Sequence, residues 1–243
     1  MGTIRVYIDA ALTCQQELHL PEAQSHHLGR VLRLRPGAEI YLFNGAGGSY
    51  RAQISAVHKQ LVTVVPGEFI PDRTFSTLRI SLAQGISRGR HMDYTIQKAV
   101  ELGVARIIPL VTEHGNVHLE AERQEHKLSH WRKIIIGACE QCDRNILPEL
   151  WEPVAYAGWI ATPSTGLRLL LDPGSVSTLG SITPIPGEVT ILSGPEGGFS
   201  ESEIAIAKAQ GCLAVRLGPR ILRTETAAIA AISACQALWG DMA

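Results

Sequence analysis

The stretch LSGPEGGFSESE, residues Leu192–Glu203, places a glycine-rich turn after apolar β-forming residues and before a helical segment. Such turns often cradle phosphate, but a phosphate loop needs a Lys-Ser/Thr pair after its glycines, or glycines spaced G-x-G-x-x-G. This turn has neither, and Glu196 inside it would repel a phosphate. Ser200 with Glu203 three residues later predicts a capping box at the start of the next helix. Taken alone, the stretch fits a tight turn without a ligand as well as it fits a binding loop.

Two further junctions have the same form. LLLDPGS, Leu169–Ser175, ends a predicted strand in a Pro-Gly turn, and VRLGPRILRTETAAIAAI, Val215–Ile232, turns at Gly218-Pro219 into a helix rich in small residues. The carboxyl ends of parallel strands meet at one edge of an open α/β sheet, where ligands bind. Glycines at that edge let backbone amides and carbonyls approach a flat purine without any phosphate anchor. The three junctions therefore predict a site for an adenosine that carries no phosphates.

The pattern of the chain changes near residue 73. Short β-like runs between Glu39 and Gly67, with an Asn44-Gly45 turn, predict a small barrel or sandwich. After Ser76, apolar strands alternate with helices, which favours a parallel sheet covered on both faces. We therefore expect a β domain over residues 1–73 and an α/β domain over residues 74–243. The helices are predicted at about residues 92–102, 123–142, 201–210 and 225–239.

The composition restricts the cellular compartment and the binding partners that we expect for the protein. The formal net charge of the 243-residue chain is −1, so a nucleic-acid partner must be met by local basic patches. Five scattered cysteines form no disulfide framework and suit a reducing compartment. The N-terminus has no apolar segment of a secretion signal, and no run of about 18 apolar residues predicts a membrane span. We expect a cytoplasmic protein without a membrane partner.

Two sequence features could hold a metal ion, and neither has the context for it. Cys139-Glu140-Gln141-Cys142 lies in a helical stretch without the second pair that a zinc site needs. His26-His27 has no carboxylate at ligand spacing. We predict packed cysteines and no metal site.

Three long motifs resemble a known family. SRGRHMDYTIQKAVELGV (residues 87–104), GPEGGFS-x-x-E (194–203) and LGPRILRTETA (217–227) are together similar to the bacterial 16S ribosomal RNA uridine-N3 methyltransferases of the SPOUT class. HHLGRVLRLRPGAEIYLFNG (26–45) resembles the PUA-like barrel of that family. The resemblance implies a SPOUT-type parallel sheet with a deep trefoil knot, preceded by a smaller PUA-like β-barrel. A SPOUT enzyme for another RNA base and a non-enzymatic RNA-binding module remain alternatives.

The resemblance also implies that the glycine–proline junctions bind S-adenosyl-L-methionine. The cofactor residues expected from the matching motifs are Leu171, Leu192, Gly194, Gly198, Leu217, Gly218, Ile221, Leu222 and Thr224. SPOUT relatives are dimers with sites across the interface, so the final helix, apolar on most faces, is interpreted as a homodimer interface.

Methylation of uracil N3 requires that its proton leaves, so a general base or a stabilising cation would help. Arg223, at the entrance of the last helix, is the candidate cation, and Glu225 and Glu196 are candidate bases. Without the family resemblance, a solvated helix start would explain Arg223 and Glu225 more simply.

The expected partner is small-subunit ribosomal RNA, free or in the assembled subunit. Arg30, Arg33 and Arg35 form a basic cluster in the first domain, here called the arginine cluster. Arg88 and Arg90 form a second group after a predicted strand. Contacts of this kind with phosphate groups set the position of the protein on the RNA and add affinity, but they do not select a nucleotide sequence. Surface solubility is the better explanation for any one of these arginines alone, but two clusters together with a β domain favour an RNA partner.

Overall fold

The computed structural model describes residues 3–58, 61–74, 76–115, 121–183 and 187–242. The chain divides into two compact units. The first unit takes Met1–Thr74 together with Cys139–Leu147, and the second takes Phe75–Ala138 together with Pro148–Ala243.

The first unit is built on one curled five-stranded sheet. Its strand order is β1-β3-β4-β5-β2, with β1 parallel to β3 and the other pairs antiparallel. Shifts of register between β4 and β5 bend the sheet, as bulges do. The predicted hairpin at Asn44-Gly45 is confirmed, because β3 and β4 pair on either side of it. The elements are β1 Arg5–Tyr7, β2 Leu18–His19, α1 Glu22–His26, a π-helical segment His27–Val31, β3 Glu39–Phe43, β4 Ser49–His58 and β5 Leu61–Ile70.

Residues Cys139–Leu147 join the first unit through polar contacts that are distant in sequence. The Arg5 guanidinium donates to Asn145 Oδ1 at 2.6 Å, and the Tyr7 backbone N–H donates to Glu140 Oε1 at 2.9 Å. Burial raises the pKa of the Glu140 carboxyl. These contacts tie the first strand to a segment more than 130 residues away.

The second unit contains a seven-stranded parallel sheet, which confirms the predicted α/β class. The strand order is β12-β10-β11-β6-β7-β8, and β9 also pairs with β7. The central strands β6 and β11 are buried along almost their whole length, as expected for a sheet covered on both faces. The strands are β6 Arg79–Gly85, β7 Arg106–Val111, β8 Glu149–Leu150, β9 Val154–Ala155, β10 Leu167–Leu171, β11 Glu188–Ser193 and β12 Leu213–Val215.

The four predicted helices are confirmed within a few residues at each end. A short helix follows β9, and a 3₁₀ turn spans Leu179–Ser181. Among the residues described, no helix is both long and apolar enough to cross a membrane. The helices are α2 Arg90–Glu101, α3 Ala121–Gln141, α4 Tyr156–Ile160, α5 Glu201–Ala209 and α6 Thr224–Trp239.

Helix α6 packs on α2 and on the sheet within its own unit. Ala228, Ala231 and Ile232 are fully buried, and Gln236 donates to Leu102 O at 3.0 Å. Much of the apolar surface of α6 is therefore used inside the chain. Its predicted role in a homodimer stays a prediction.

Candidate active site

The carboxyl ends of four parallel strands lie at one edge of the second sheet. Leu171 pairs with Val215, and Ser193 pairs with Gln84, so β10, β12, β11 and β6 all end there. The turns after β10, β11 and β12 and the first turn of α6 enclose a cavity of about 540 Å³, here called the edge cavity. This volume is within the usual range for sites that bind small molecules.

All the predicted cofactor residues except Leu192 line the edge cavity. Leu192 is 0% exposed and packs in the core with Leu170 and Ala83. The apolar side chains and exposed backbone of the turns suit a flat nucleoside, and Arg220 and Arg223 are the Lys or Arg side chains among the described residues that line the cavity. The residues that line it as predicted are Leu171, Gly194, Gly198, Leu217, Gly218, Ile221, Leu222 and Thr224.

Gln84 fixes the turn after β11 against the start of α6. Its side chain is fully buried, and Nε2 donates to Gly194 O at 3.1 Å and to Thr224 Oγ1 at 3.0 Å. Thr224 Oγ1 in turn donates to Gly194 O at 2.5 Å. A Cβ on Gly85 would lie 2.4 Å from Pro195 Cδ, so only glycine permits this close approach. Sequence reasoning missed Gln84 and Gly85, although a polar residue and a glycine at the end of an apolar strand were a visible signal.

The start of α5 has the predicted capping box. Ser200 Oγ accepts from the Glu203 backbone N–H at 3.1 Å, and Glu203 Oε2 accepts from the Ser200 N–H at 2.9 Å. Glu203 Oε1 also accepts from the Glu113 N–H at 2.9 Å. The buried carboxylate therefore joins the turn after β11 to the segment after β7. Hydrogen bonds from Ser200 and Ser202 lower the pKa of the Glu113 carboxyl.

The three predicted catalytic residues all line the edge cavity, together with a histidine that sequence reasoning missed. Arg223 is exposed and stands at the N-cap of α6. Glu225 Oε1 lies 3.3 Å from His91 Nδ1. Glu196 Oε1 accepts from the Arg88 backbone N–H at 2.8 Å, which ties the turn after β11 to the loop after β6. His91 stood within a quoted motif, but only the fold brings it to Glu225.

A second cavity of about 320 Å³ adjoins the first and is here called the side cavity. It is lined by Arg88, His91, His114, Glu196 and Gly197. His91, Glu196 and Gly197 line both cavities. His114 Nδ1 lies 3.0 Å from Gly197 O.

The predicted RNA-binding arginines are all exposed. The arginine cluster lies in the first unit, where Arg30 belongs to the π-helical segment and Arg33 has a positive φ of 54°. Arg88 precedes α2 in the second unit, and Arg90 begins it. The fold thus keeps the two groups on separate units.

The five cysteines are free thiols. Burial raises the pKa of the Cys139 thiol to about 12, which fits the prediction of a packed cysteine, whereas Cys142 is half-buried. Within the described ranges, no group of His, Cys, Asp and Glu side chains is arranged to hold a metal ion.

Comparison with known proteins finds matches over both units. A family model described as an RNA methyltransferase domain matches residues 74–236, and one described as an RNA methyltransferase PUA domain matches residues 20–67. The ribosomal RNA small subunit methyltransferase E of Buchnera aphidicola subsp. Acyrthosiphon pisum is 34% identical over 98% of this chain and 94% of its own length.

Two solved structures are similar over nearly the whole chain. A protein of Legionella pneumophila described as a methyltransferase, in complex with its cofactor SAM, is 42% identical with a TM-score of 0.95, over 99% of this chain and 100% of the other. The ribosomal RNA small subunit methyltransferase E of Neisseria gonorrhoeae, bound to S-adenosyl methionine, is 38% identical with a TM-score of 0.93, over 100% of both chains.

Proposed function

The chain belongs to the ribosomal RNA small subunit methyltransferase E family, and from this premise we propose that it methylates N3 of a uridine in 16S ribosomal RNA. The methyl donor is S-adenosylmethionine. The observation that carries the proposal is the edge cavity, where three glycine–proline turns meet at the carboxyl ends of parallel strands. Two similar proteins with bound S-adenosylmethionine support the same donor.

The edge cavity fits this cofactor in shape and chemistry. Leu171, Leu217 and Leu222 offer apolar contacts for the adenine, and the backbone of Gly194 and Gly218 can read its edge and the ribose. When bound, S-adenosylmethionine supplies an electrophilic methyl group on a sulfonium. The protein's part is to hold the reacting atoms in line, which can supply much of the rate enhancement.

The residues around the edge cavity can assist the loss of the N3 proton. Arg223 is the proposed cation that stabilises the uridine anion. Glu225 and Glu196 are the candidate bases drawn from the sequence, and each already has one hydrogen-bond or ion-pair partner in the fold.

We further propose how the two domains share the work. Residues 1–73 form a PUA-like RNA-binding barrel, whose arginine cluster contacts phosphates, and residues 74–243 form the methyltransferase domain with its cofactor turns in a deep trefoil knot. Arg88 and Arg90 extend the RNA contact next to the cofactor.

The substrate is ribosomal RNA, free or within the assembled small subunit, and the enzyme acts in the cytoplasm. The alternative of a non-enzymatic RNA-binding module requires that the edge cavity bind no cofactor.

Titration calorimetry with S-adenosylmethionine separates these alternatives. We expect binding by the wild-type protein and at least a tenfold loss of affinity in Gly194→Ala and Gly218→Ala. A Cβ on Gly194 would lie 3.0 Å from Gly198 Cα, and Gly218 has a φ of +78°, which strains any other residue. Gly158→Ala, with open space around its Cβ, is the matched control. Failure of the wild-type protein to bind the cofactor would favour the RNA-binding module.

Arg223→Ala tests the proposed cation. The variant should bind S-adenosylmethionine with wild-type affinity and lose methyl transfer to ribosomal RNA, because its charge acts on the uridine and not on the cofactor. Methylation at the normal rate would remove Arg223 from the catalytic group.

We propose that the protein is a homodimer and that the final helix, α6, forms its interface. Ala230 and Ala234 on α6 are only half-buried within the chain, which leaves room for a second copy to cover them. Ala230→Glu or Ala234→Glu should then produce inactive monomers, while Arg223→Ala stays dimeric. Sedimentation and a methylation assay decide this, and a fully active monomer would contradict a site shared between subunits.

A further inference from the structure

The side cavity has the position expected of a pocket for the base that receives the methyl group. It shares His91, Glu196 and Gly197 with the edge cavity, so a base held there would lie next to the methyl donor. Its volume of about 320 Å³ is at the lower end of the range for small-ligand sites, as suits a single nucleoside. This reasoning rests on the proposed function.

His91 is the side chain best placed to take a proton from such a base. It lines both cavities, and its Nδ1 lies 3.3 Å from Glu225 Oε1. With a proton on Nδ1 facing this carboxylate, the lone pair of Nε2 would be free to accept another proton. Glu225 is the more buried of the two, with 15% of its side chain exposed against 45% for His91. Because water reaches little of this carboxylate, it is placed to orient the imidazole.

The other titratable groups around His91 are less suited to be the base. Glu196 already accepts the Arg88 N–H through Oε1. His114 lines the side cavity but not the edge cavity, so it has no contact with the proposed cofactor site. Its Nδ1 lies 3.0 Å from Gly197 O, and the carboxylate that interacts with it is Glu113. The guanidinium groups of Arg88 and Arg223 lack a lone pair to accept a proton.

Positive charge near the side cavity would offset the carboxylate of Glu196 and stabilise a uracil anion. His91 and Glu225 are each the second residue of a helix, so the N-termini of α2 and α6 converge on the same place. Helix N-termini carry partial positive charge and stabilise anions nearby. Arg88 lines the side cavity, and Arg223 lines the edge cavity. Negative charge on a deprotonated uracil would be stabilised from several directions.

We infer that the side cavity receives the target uracil and that His91, positioned by Glu225, is the general base. The N3–H bond breaks, its proton moves to His91 Nε2, and its electron pair remains on N3. That pair bonds to the methyl carbon, the pair of the broken carbon–sulfur bond stays on sulfur, and His91 then releases its proton to water. Glu225 is thereby a positioning residue, and Glu196 positions the loop that carries Arg88.

The first test compares His91→Gln with His130→Gln. His130 is also paired with a carboxylate, its Nε2 lying 2.9 Å from Asp93 Oδ2, but it lines neither cavity. On small subunits from cells that lack this protein, His91→Gln should methylate about 100- to 10,000-fold more slowly than wild type, the usual range for a lost general base. His130→Gln should match wild type, and both variants should bind S-adenosylmethionine normally.

Two further readouts separate a proton acceptor from a merely structural residue. Imidazole added to His91→Ala should restore methylation in proportion to its concentration. Without cofactor, the ¹⁹F resonance of 5-fluorouridine monophosphate should report saturable binding to wild-type protein, with the bound base losing its N3 proton at lower pH than it does on His91→Gln.

The outcomes distinguish the inference from the function on which it rests. A wild-type protein that neither binds S-adenosylmethionine nor methylates small subunits overturns the proposed function. A wild-type protein that methylates while His91→Gln does so equally fast overturns the role of His91 alone. Loss of activity without imidazole rescue, with identical ¹⁹F titrations, also overturns it. Absence of saturable nucleotide binding overturns the base site.

Discussion

Replacing Glu203 with glutamine should destabilise the second unit measurably, because both oxygens of the buried carboxylate accept backbone N–H groups. Oε1 accepts from Glu113 and Oε2 from Ser200, each at 2.9 Å, in a side chain that is 3% exposed. Glutamine offers one oxygen, and its NH₂ group would face the second N–H. One hydrogen bond to a charged group is lost and one buried donor is left unpaired, which costs about 2 kcal/mol.

Thermal unfolding measures this loss. For a protein of this size, a cost of about 2 kcal/mol lowers Tm by roughly 4–8 °C. Glu201→Gln is the matched control, because Glu201 is exposed in the first turn of the same helix and loses only about 0.3–1 kcal/mol of favourable interaction with the helix dipole. Equal shifts in the two variants, or a fall below about 1 °C in Glu203→Gln, would refute the role given to the buried carboxylate.

Two further predictions concern the RNA contact and the thiols. Replacing the arginine cluster with alanine should weaken RNA binding and flatten its salt dependence by roughly one unit of slope per lost phosphate contact, with cofactor affinity unchanged. Arg51→Ala, which removes an exposed arginine already paired with Glu39, is the control. An unchanged slope in the cluster variant would show that those arginines do not contact RNA phosphates. Exposed Cys14 should react fastest with a thiol reagent at neutral pH, because burial raises the pKa of the Cys139 and Cys235 thiols to about 12. Rapid labelling of Cys139 or Cys235 in the native protein would contradict their burial.

The sequence predicted the elements whose signals are local. Ser200 and Glu203 form the expected capping box, and the apolar strands form the expected parallel sheet with its glycine–proline turns at one edge. The position of Leu192 in the core, outside the edge cavity, also has a local explanation. Successive strand residues point to opposite faces, and in a strand buried on both sides the sequence does not tell which residue faces the cavity.

What the sequence could not predict depends on contacts between distant segments. The contacts that join Cys139–Leu147 to the first unit include the Arg5–Asn145 hydrogen bond, between residues 140 positions apart. The pairing of His91 with Glu225 likewise requires the packing of α2 on α6. No local pattern of polar residues specifies such pairs, because the sheet topology brings them together.

The most direct measurement is the identity of the nucleoside formed when the purified protein acts on unmodified small subunits with S-adenosylmethionine labelled by a trideuteromethyl group. After digestion of the ribosomal RNA, mass spectrometry should find the label in 3-methyluridine, and Gly218→Ala should form much less of it when the cofactor is far below saturation. Label in another methylated nucleoside would contradict the proposed uridine N3 specificity. No label in any nucleoside, with wild-type protein that binds RNA, would contradict methyl transfer itself.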